Sequence, residues 1–410
     1  MQYKTTREQN ETLTRVGRGT PMGDLLRRYW WPVGISDHLH NKPTFIRLLC
    51  EDLVLFRDNH GRPAVLAALC SHRRANLCLG NVESAGLRCR YHGWLYGNDG
   101  RVLQTPGEPP GSQLKERINH VSYPAQELGG LIFTYLGPQP APLLPRFHFL
   151  AGDGEHRPYI QGFGKCNFLQ AVENGIDPFH TSFLHGDVWT PVAAEPEKTW
   201  FEDTEWGTVY KAIRPGRQPG EYNYREHPHF MPGISSGGDG AVSSGMDNLA
   251  EEGLPPVSAR WSVPIDDTNM MHVRVHFHPA GKPDRTSRGV VAGTRTAPYQ
   301  VEPYKEYRES NNPTLGYTLP RSIGGEDAVV LDSLGPIVDR ENENLSVIDE
   351  GIVMVRNMYL KGIEDIKAGR DPKGVIRDAA KNDLIVAGGV YKWISAAERE
   401  GILLAAGVRN

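Results

Sequence analysis

Residues 70–92 read CSHRRANLCLGNVESAGLRCRYH, and the spacing of four residues in this stretch decides the architecture. Cys70 and His72 form a Cys-x-His pair, and Cys89 and His92 form a Cys-x-x-His pair. Two thiolates and two imidazoles suit a [2Fe–2S] cluster with cysteine on one iron and histidine on the other. A Cys₂His₂ zinc site is the competing reading. Zinc fingers usually space their ligands differently, and a Cys-x-His pair sits awkwardly around one tetrahedral ion. The two pairs are expected on facing loops, with residues 73–88 making a hairpin-like excursion between them. Gly93 would let the backbone approach closely, and Tyr91 and Trp94 would shield the group. Arg73, Arg74, Arg88 and Arg90 flank the ligands and would steer an acidic electron donor. The plainer reading is solvated arginines with one internal ion pair.

A second ligand set follows in NFLQAVENGIDPFHTSFLH, residues 167–185. His180 and His185, with a distant carboxylate, suit a mononuclear Fe(II) that keeps open positions for O₂. In a regular helix a five-residue spacing turns two rings about 140° apart. Joint ligation therefore requires the helix to end or loosen between them, and Gly186 fits a terminus. Phe168, Leu169, Val172 and Ile176 predict a helix broken near Asn174-Gly175. Asp177-Pro178 reads as an N-cap with Pro at N1. Alternatively, the Asp177 carboxylate bonds the second nitrogen of His180 and orients it. The carboxylate ligand is open among Asp327, Asp332 and Asp339. The Glu326-Asp327 pair opens a helical segment, where a carboxylate is favoured by the helix dipole in any case. An electron store and an oxygen-activating iron in one chain imply an oxygenase supplied by an outside reductant.

The rest of the chain bounds this reading. It has 410 residues, 39% hydrophobic and 23% charged, as in ordinary globular proteins. The net charge of −4 gives no support for nucleic-acid binding. Met1–Thr20 lacks the apolar core of a signal peptide, and no apolar run is long enough to span a bilayer. These features predict a cytoplasmic protein. Five cysteines argue against a disulfide framework; Cys50, Cys78 and Cys166 read as small buried hydrophobes.

The fold class expected is α+β: a small all-β cluster domain and a larger catalytic domain with an antiparallel sheet flanked by helices. The division is 1–40 (a helical segment packing with the catalytic domain, with a helix over Met22–Trp31), 41–140 and 141–410. Short strands, among them Ile46–Cys50, Leu53–Arg57, Val65–Cys70 and Leu131–Tyr135, fill the cluster domain. Gly137–Pro145 reads as a stiff linker. Strands over Thr208–Ile213, Ala259–Val263 and Met271–His278, a loop over Gly233–Gly253, and helices over Glu326–Leu334, Asn344–Glu364 and Ile376–Ala387 follow.

These residues resemble the large subunits of Rieske non-haem iron aromatic ring-hydroxylating oxygenases, most closely the phthalate-dioxygenase-type group. That group includes phenoxybenzoate dioxygenase and aromatic O-demethylases. The likeness spans nearly the whole chain: TRVGRGTPMGDLLRRYWWPVG, CSH…CRYHGWLY, ENGIDPFHTSFLH and EDAVVLDSLGPIVDR. It implies that Cys70, His72, Cys89 and His92 bind [2Fe–2S], and that His180, His185 and Asp327 bind Fe(II). It makes Asp177 a catalytic electron bridge between His180 and His92 of a neighbouring subunit, and places Asn174 near the iron and Glu173 near an inter-subunit contact. It implies a homotrimer, or a hexamer of stacked trimers, reduced by an NAD(P)H-dependent reductase with or without a ferredoxin. The expected reaction is dihydroxylation of an aromatic carboxylate, including angular attack on a diaryl ether. O-demethylation is the alternative within the class, and a pure electron carrier the alternative outside it. Lys211, Arg214, Arg260 and Arg274 are candidate cations for a substrate carboxylate. Phe179, Phe183, Leu184, Val188 and Met271 are candidate pocket residues.

Overall fold

The computed structural model describes residues 3–187, 193–216, 218–237, 257–281, 319 and 322–408. The cluster region holds two antiparallel four-stranded sheets. One comprises Thr44–Leu48, Glu51–Arg57, Pro63–Ala67 and Ser122–Tyr123; the other Asn81–Glu83, Gly86–Arg88, Leu95–Tyr96 and Val102–Gln104. Leu53 and Leu55 join the main core, while Val54 and Phe56 pack with Leu66, Leu77 and Trp94 behind the ligand loops. A strand buried on both faces explains the unbroken apolar run.

The expected strand Ile46–Cys50 stops at Leu48, because Leu49 and Cys50 form the hairpin turn, both with positive φ. A two-residue turn of this kind matches strand twist but normally takes Asn or Gly. Here strand Val257–Asp266 holds it: Leu49 N donates to Pro264 O at 3.0 Å and Cys50 N to Ile265 O at 2.9 Å.

Two helices expected from the sequence are shorter or absent. The first covers only Pro21–Leu26, and Trp30–Ile35 is a strand paired with Leu131–Tyr135. The Trp31 indole donates to Leu26 O at 2.9 Å and satisfies a carbonyl that a longer helix would have used. Ile376–Ala387 contains only a 3-10 turn at Ala379–Lys381. Its backbone instead zips onto the segment expected to be a linker. Leu143 N donates to Ile376 O, and Asn382 bonds both Arg146 N and Leu144 O. The later helix starts at Glu350 and ends at Lys367, after a capped turn at Ser346–Asp349.

The catalytic region is built on an eight-stranded antiparallel sheet. Its strands run in the order Gly154–Gly164, Asn269–Pro279, Val257–Asp266, Ile234–Gly237, Glu221–Phe230, Gly207–Pro215 and Lys198–Asp203, with Val390–Ser395 also paired to Glu221–Phe230. The expected loop over Gly233–Gly253 is therefore a strand at its start, and its remainder lies outside the described residues. Register divides the sheet into two faces. Trp261, Val263, Val273, Val275 and Phe277 share the core face. Arg214, Arg225, His227, His229, Arg260, His272 and Arg274 share the other. No helix among the described residues is long and apolar enough to cross a membrane.

Helix Phe168–Ile176 lies against the polar face, and a buried charge network fixes it. Glu173 accepts from Arg340 at 2.7 and 3.1 Å and from Arg356 at 2.7 Å. Arg356 also bonds Thr5 and Glu343, and Arg340 bonds Asn10. Glu173 is thus buried within this network inside the chain. Burial alone would raise its pKa, but the two guanidiniums hold it below the usual carboxylate range. Its contribution to stability is therefore present at neutral pH and declines as acid protonates it. Arg340→Met should lower stability by about 3 kcal/mol, since it leaves a buried charge half compensated; a denaturation midpoint equal to that of the wild type would remove this role.

Candidate metal centres

The two cluster loops close in the same way. Cys70 N donates to Ala75 O at 2.9 Å, and Arg74 N returns to Cys70 O at 2.9 Å. Cys89 N donates to Trp94 O at 2.8 Å, and Gly93 N returns to Cys89 O at 3.0 Å. The fifth residue of each loop has positive φ: Arg74 at 59° and Gly93 at 75°. Glycine meets this without cost, whereas a side chain in this region costs roughly 1–2 kcal/mol.

Facing loops place two buried thiols on the inner side, with Cys70 and Cys89 close enough to influence each other's charge. His72 and His92 lie on the outer side, ring centroids 4.6 Å apart. This division of thiols and imidazoles fits a cluster with one all-cysteine iron and one all-histidine iron. Burial, first among the causes, raises the Cys89 thiol pKa; a bound metal would favour the thiolate. Trp94 stacks on His72 at 4.7 Å, and Tyr91 lies 3.8 Å from the His92 ring. Arg88 is taken by Glu83 and by the Gly93 carbonyl. Arg73, Arg74 and Arg90 are exposed around the outer histidines.

Two supporting residues escaped the sequence reading. The Tyr96 hydroxyl is 2.9 Å from Cys70 Sγ. His120 is buried, with Nε2 2.8 Å from Ala67 O and Nδ1 2.7 Å from Ser71 Oγ, inside the first ligand loop. Tyr96 lies four residues beyond His92 on a short strand; His120 has no local signal, because its contact spans the domain.

The second centre forms where a helix ends. His180–Leu184 is helical and His185 is its C-cap, so the five-residue spacing no longer throws the rings apart. The His180, His185 and Asp327 ligand atoms all lie within 4.8 Å of one another. Asp327 Oδ1 is 3.0 Å from His185 Nε2 and 3.7 Å from His180 Nε2. Asp327 comes from the first half of helix Ile323–Ser333, close to the span expected for it. Asp332 accepts from Lys165 N, and Asp339 bonds its own turn, so neither belongs to this group.

Each histidine is oriented by its other nitrogen. His180 Nδ1 donates to the backbone carbonyl of Asp177 at 2.7 Å. The Asp177 carboxylate is farther, at 3.7 Å, and accepts from Phe179 N at 2.7 Å. The orienting group is thus the main chain, while the side chain caps the turn. His185 Nδ1 donates to Glu326 Oε2 at 2.7 Å, so Glu326 orients a histidine rather than only capping its helix. Both Nε2 lone pairs are then directed to the shared space, as a divalent metal requires. Burial would lower the His185 pKa, but Asp327 and Glu326 outweigh it and raise it. Asn174 Nδ2 donates to Asp327 Oδ1 at 3.1 Å. One carboxylate and two imidazoles on one side of a site fit a non-haem iron with open positions.

The polar sheet face forms the floor. A Cβ on Gly175 would lie 2.9 Å from His229 Cε1 and 3.4 Å from Arg260 Nη2, so only glycine allows this approach. Burial and Arg260 push His229 down to about 3, so it stays neutral. Of the candidate cations, Lys211 is on the core face, paired with Glu202 and Glu226; Arg214, Arg260 and Arg274 are on the floor. Met271 belongs to the core, Phe183 is exposed, and Val188 lies outside the described residues.

The chain is similar to known proteins in both sequence and fold. The Rieske [2Fe-2S] domain family matches residues 29–124. The 5,5'-dehydrodivanillate O-demethylase oxygenase subunit of a Sphingobium species is 34% identical, over 92% of this chain and 85% of that protein. The phenoxybenzoate dioxygenase subunit alpha of Ectopseudomonas oleovorans is 32% identical, over 88% and 87%. A structure of dicamba monooxygenase bound to dicamba shares the fold with a TM-score of 0.61 and 18% identity, over 84% of this chain and 99% of that one.

Tyr96→Phe should keep the cluster's absorption and lower its reduction potential, because a hydrogen bond to sulfur favours the reduced state; an unchanged potential would exclude Tyr96 from tuning. Glu326→Ala should weaken iron binding about 10–100-fold in metal titrations, and wild-type affinity would reduce Glu326 to a helix cap.

Proposed function

Since the chain belongs to the Rieske non-haem iron oxygenases, as an oxygenase large subunit, we propose that it is a terminal oxygenase component that dihydroxylates an aromatic carboxylate, including angular attack on a diaryl ether. It is an oxidoreductase whose cofactors are a [2Fe–2S] cluster and a mononuclear iron. When bound, the cluster stores an electron and the iron activates O₂. In this reading Cys70, His72, Cys89 and His92 hold the cluster, and His180, His185 and Asp327 hold the iron. The division into 1–40, 41–140 and 141–410 belongs to the same proposal, as does a cytoplasmic location.

The observation that carries the substrate class is the buried, arginine-bearing sheet face under the three-residue centre. A cationic floor with neutral histidines favours an anionic substrate and disfavours a bare arene. Glu326 and the Asp177 carbonyl keep both imidazoles in the tautomer that frees Nε2. Asn174 donates to Asp327 and limits that carboxylate's freedom to move. The relative acting on phenoxybenzoate supports the dioxygenase reading; the O-demethylase relative supports the alternative, removal of an O-methyl group. O₂ uptake across phthalate, phenoxybenzoates and methoxybenzoates separates them. Addition of two oxygens, or cleavage to a catechol and a phenol, establishes dioxygenation; formaldehyde moves the protein to the demethylases.

The electron route is proposed to cross subunits. No hydrogen bond joins the cluster loops to the helices of residues 168–184 among the described residues. The Asp177 side chain is 24% exposed and Phe183 74%, while His72 and Tyr91 are exposed on the cluster side. A homotrimer, or a hexamer of stacked trimers, would bring these surfaces together, with Asp177 bonding His180 through its main-chain carbonyl and reaching His92 of the neighbour with its carboxylate. The donor is an NAD(P)H-dependent reductase, with or without a ferredoxin. Asp177→Asn should keep both metals and lose most turnover. Chains carrying Cys70→Ser and chains carrying His180→Ala, each inactive alone, should regain activity when co-assembled; no recovery in verified mixed oligomers would place the route within one chain.

A further inference from the structure

Strand register sets Arg214 directly opposite Asn223 on the polar face of the sheet. Both residues are fully buried. One part of the Arg214 guanidinium is in use: Nη2 donates to Pro178 O at 2.5 Å and to Thr181 Oγ1 at 3.0 Å. The rest is not. Nε and Nη1 have no hydrogen-bond partner, and neither end of the Asn223 amide has one, among the described residues. No carboxylate there is hydrogen-bonded to Arg214. Burial, with Arg225 adding to it, pushes the guanidinium down to about 10.

Buried donors are nearly always satisfied, and a buried charge normally has a counter-charge. The missing group must accept from two guanidinium N–H groups and from the Asn223 amide, and it must carry negative charge. A carboxylate accepts from all three N–H groups and supplies the charge, because its two oxygens match the guanidinium fork; the Asn223 Oδ1 then takes a donor of its own, such as a water. Water would satisfy the hydrogen bonds without adding charge, and the Asp177 carboxylate acts on Arg214 only through space, as the smallest of the influences on it. The location is specific as well. Pro178 and Thr181 bracket His180 in the chain, so the bare part of Arg214 lies under the turn that carries an iron ligand. Of the other floor cations, Arg274 already donates to Gln161 and Ser258.

We propose that Arg214 and Asn223 form a buried subsite that takes the carboxylate of the aromatic substrate. This rests on the aromatic-carboxylate reading above. The test uses protein loaded with both metals, kept anaerobic, and calorimetric binding of benzoate, phthalate and 3-phenoxybenzoate, with benzamide as the neutral control. At least one acid should bind the wild type well above benzamide. Arg214→Gln should weaken that acid about 30-fold or more, with benzamide binding and iron content unchanged. Asn223→Leu leaves the Pro178 and Thr181 bonds alone and should weaken the acid in the same direction, so it decides the matter if Arg214→Gln loses iron. Wild-type acid affinity in iron-replete variants overturns the subsite and leaves the substrate class standing. Binding of neutral arenes but of no acid to the wild type overturns both. Binding of inorganic phosphate in place of every aromatic acid would make this a free-anion site and overturn the proposal.

Discussion

One oxygen atom gathers the catalytic centre. Asp327 Oδ1 lies within hydrogen-bond reach of His185 Nε2 and Asn174 Nδ2, with His180 Nε2 just beyond. These groups come from three helices, two of them near the middle of the chain and the third far downstream. A carboxylate buried there is strongly disfavoured without such partners. Its pKa is depressed despite burial, because His185, His180 and Arg260 favour the charged form. The group that best satisfies this arrangement is a divalent metal, so the site's electrostatics and its chemistry require the same occupant.

Convergence on one atom demands that the helices be held rigidly. The Glu173 network does this for Phe168–Ile176 by tying it to residues 5, 10, 340, 343 and 356. Gly175 then allows the same helix to approach His229 and Arg260. Successive residues of one helix thus serve different ends: Glu173 anchors, Asn174 braces the Asp327 carboxylate, and Gly175 allows close approach. A buried ion-pair network is not inherently stabilising, but it fixes one arrangement where an apolar contact would tolerate sliding.

The cluster loops follow a parallel logic in a smaller space. Each is closed by the same pair of main-chain bonds and needs a left-handed residue at its end. Gly93 signals this in the sequence and Arg74 does not, because only glycine is a residue type that favours the left-handed region. Similarly, Leu49-Cys50 carries no turn signal, because its conformation is imposed by bonds from Pro264 and Ile265.

The sequence by itself marked the two clusters of candidate ligands, short of the carboxylate, the α+β class, the antiparallel sheet of the larger region and the need for the helix to end or loosen between His180 and His185. All of these follow from side-chain chemistry and short-range periodicity. Local pattern failed at Met22–Trp31 and Ile376–Ala387, where apolar spacing suited a helix but long-range backbone bonds offered a better set of partners. Only the tertiary structure decided which of Asp327, Asp332 and Asp339 joins the histidines, that Glu326 orients His185, that Lys211 faces away while Arg214 faces the floor, and that Arg214 keeps unpaired donors. Each of these depends on strand register or on contacts between segments far apart in sequence, and a one-residue slip would reverse it.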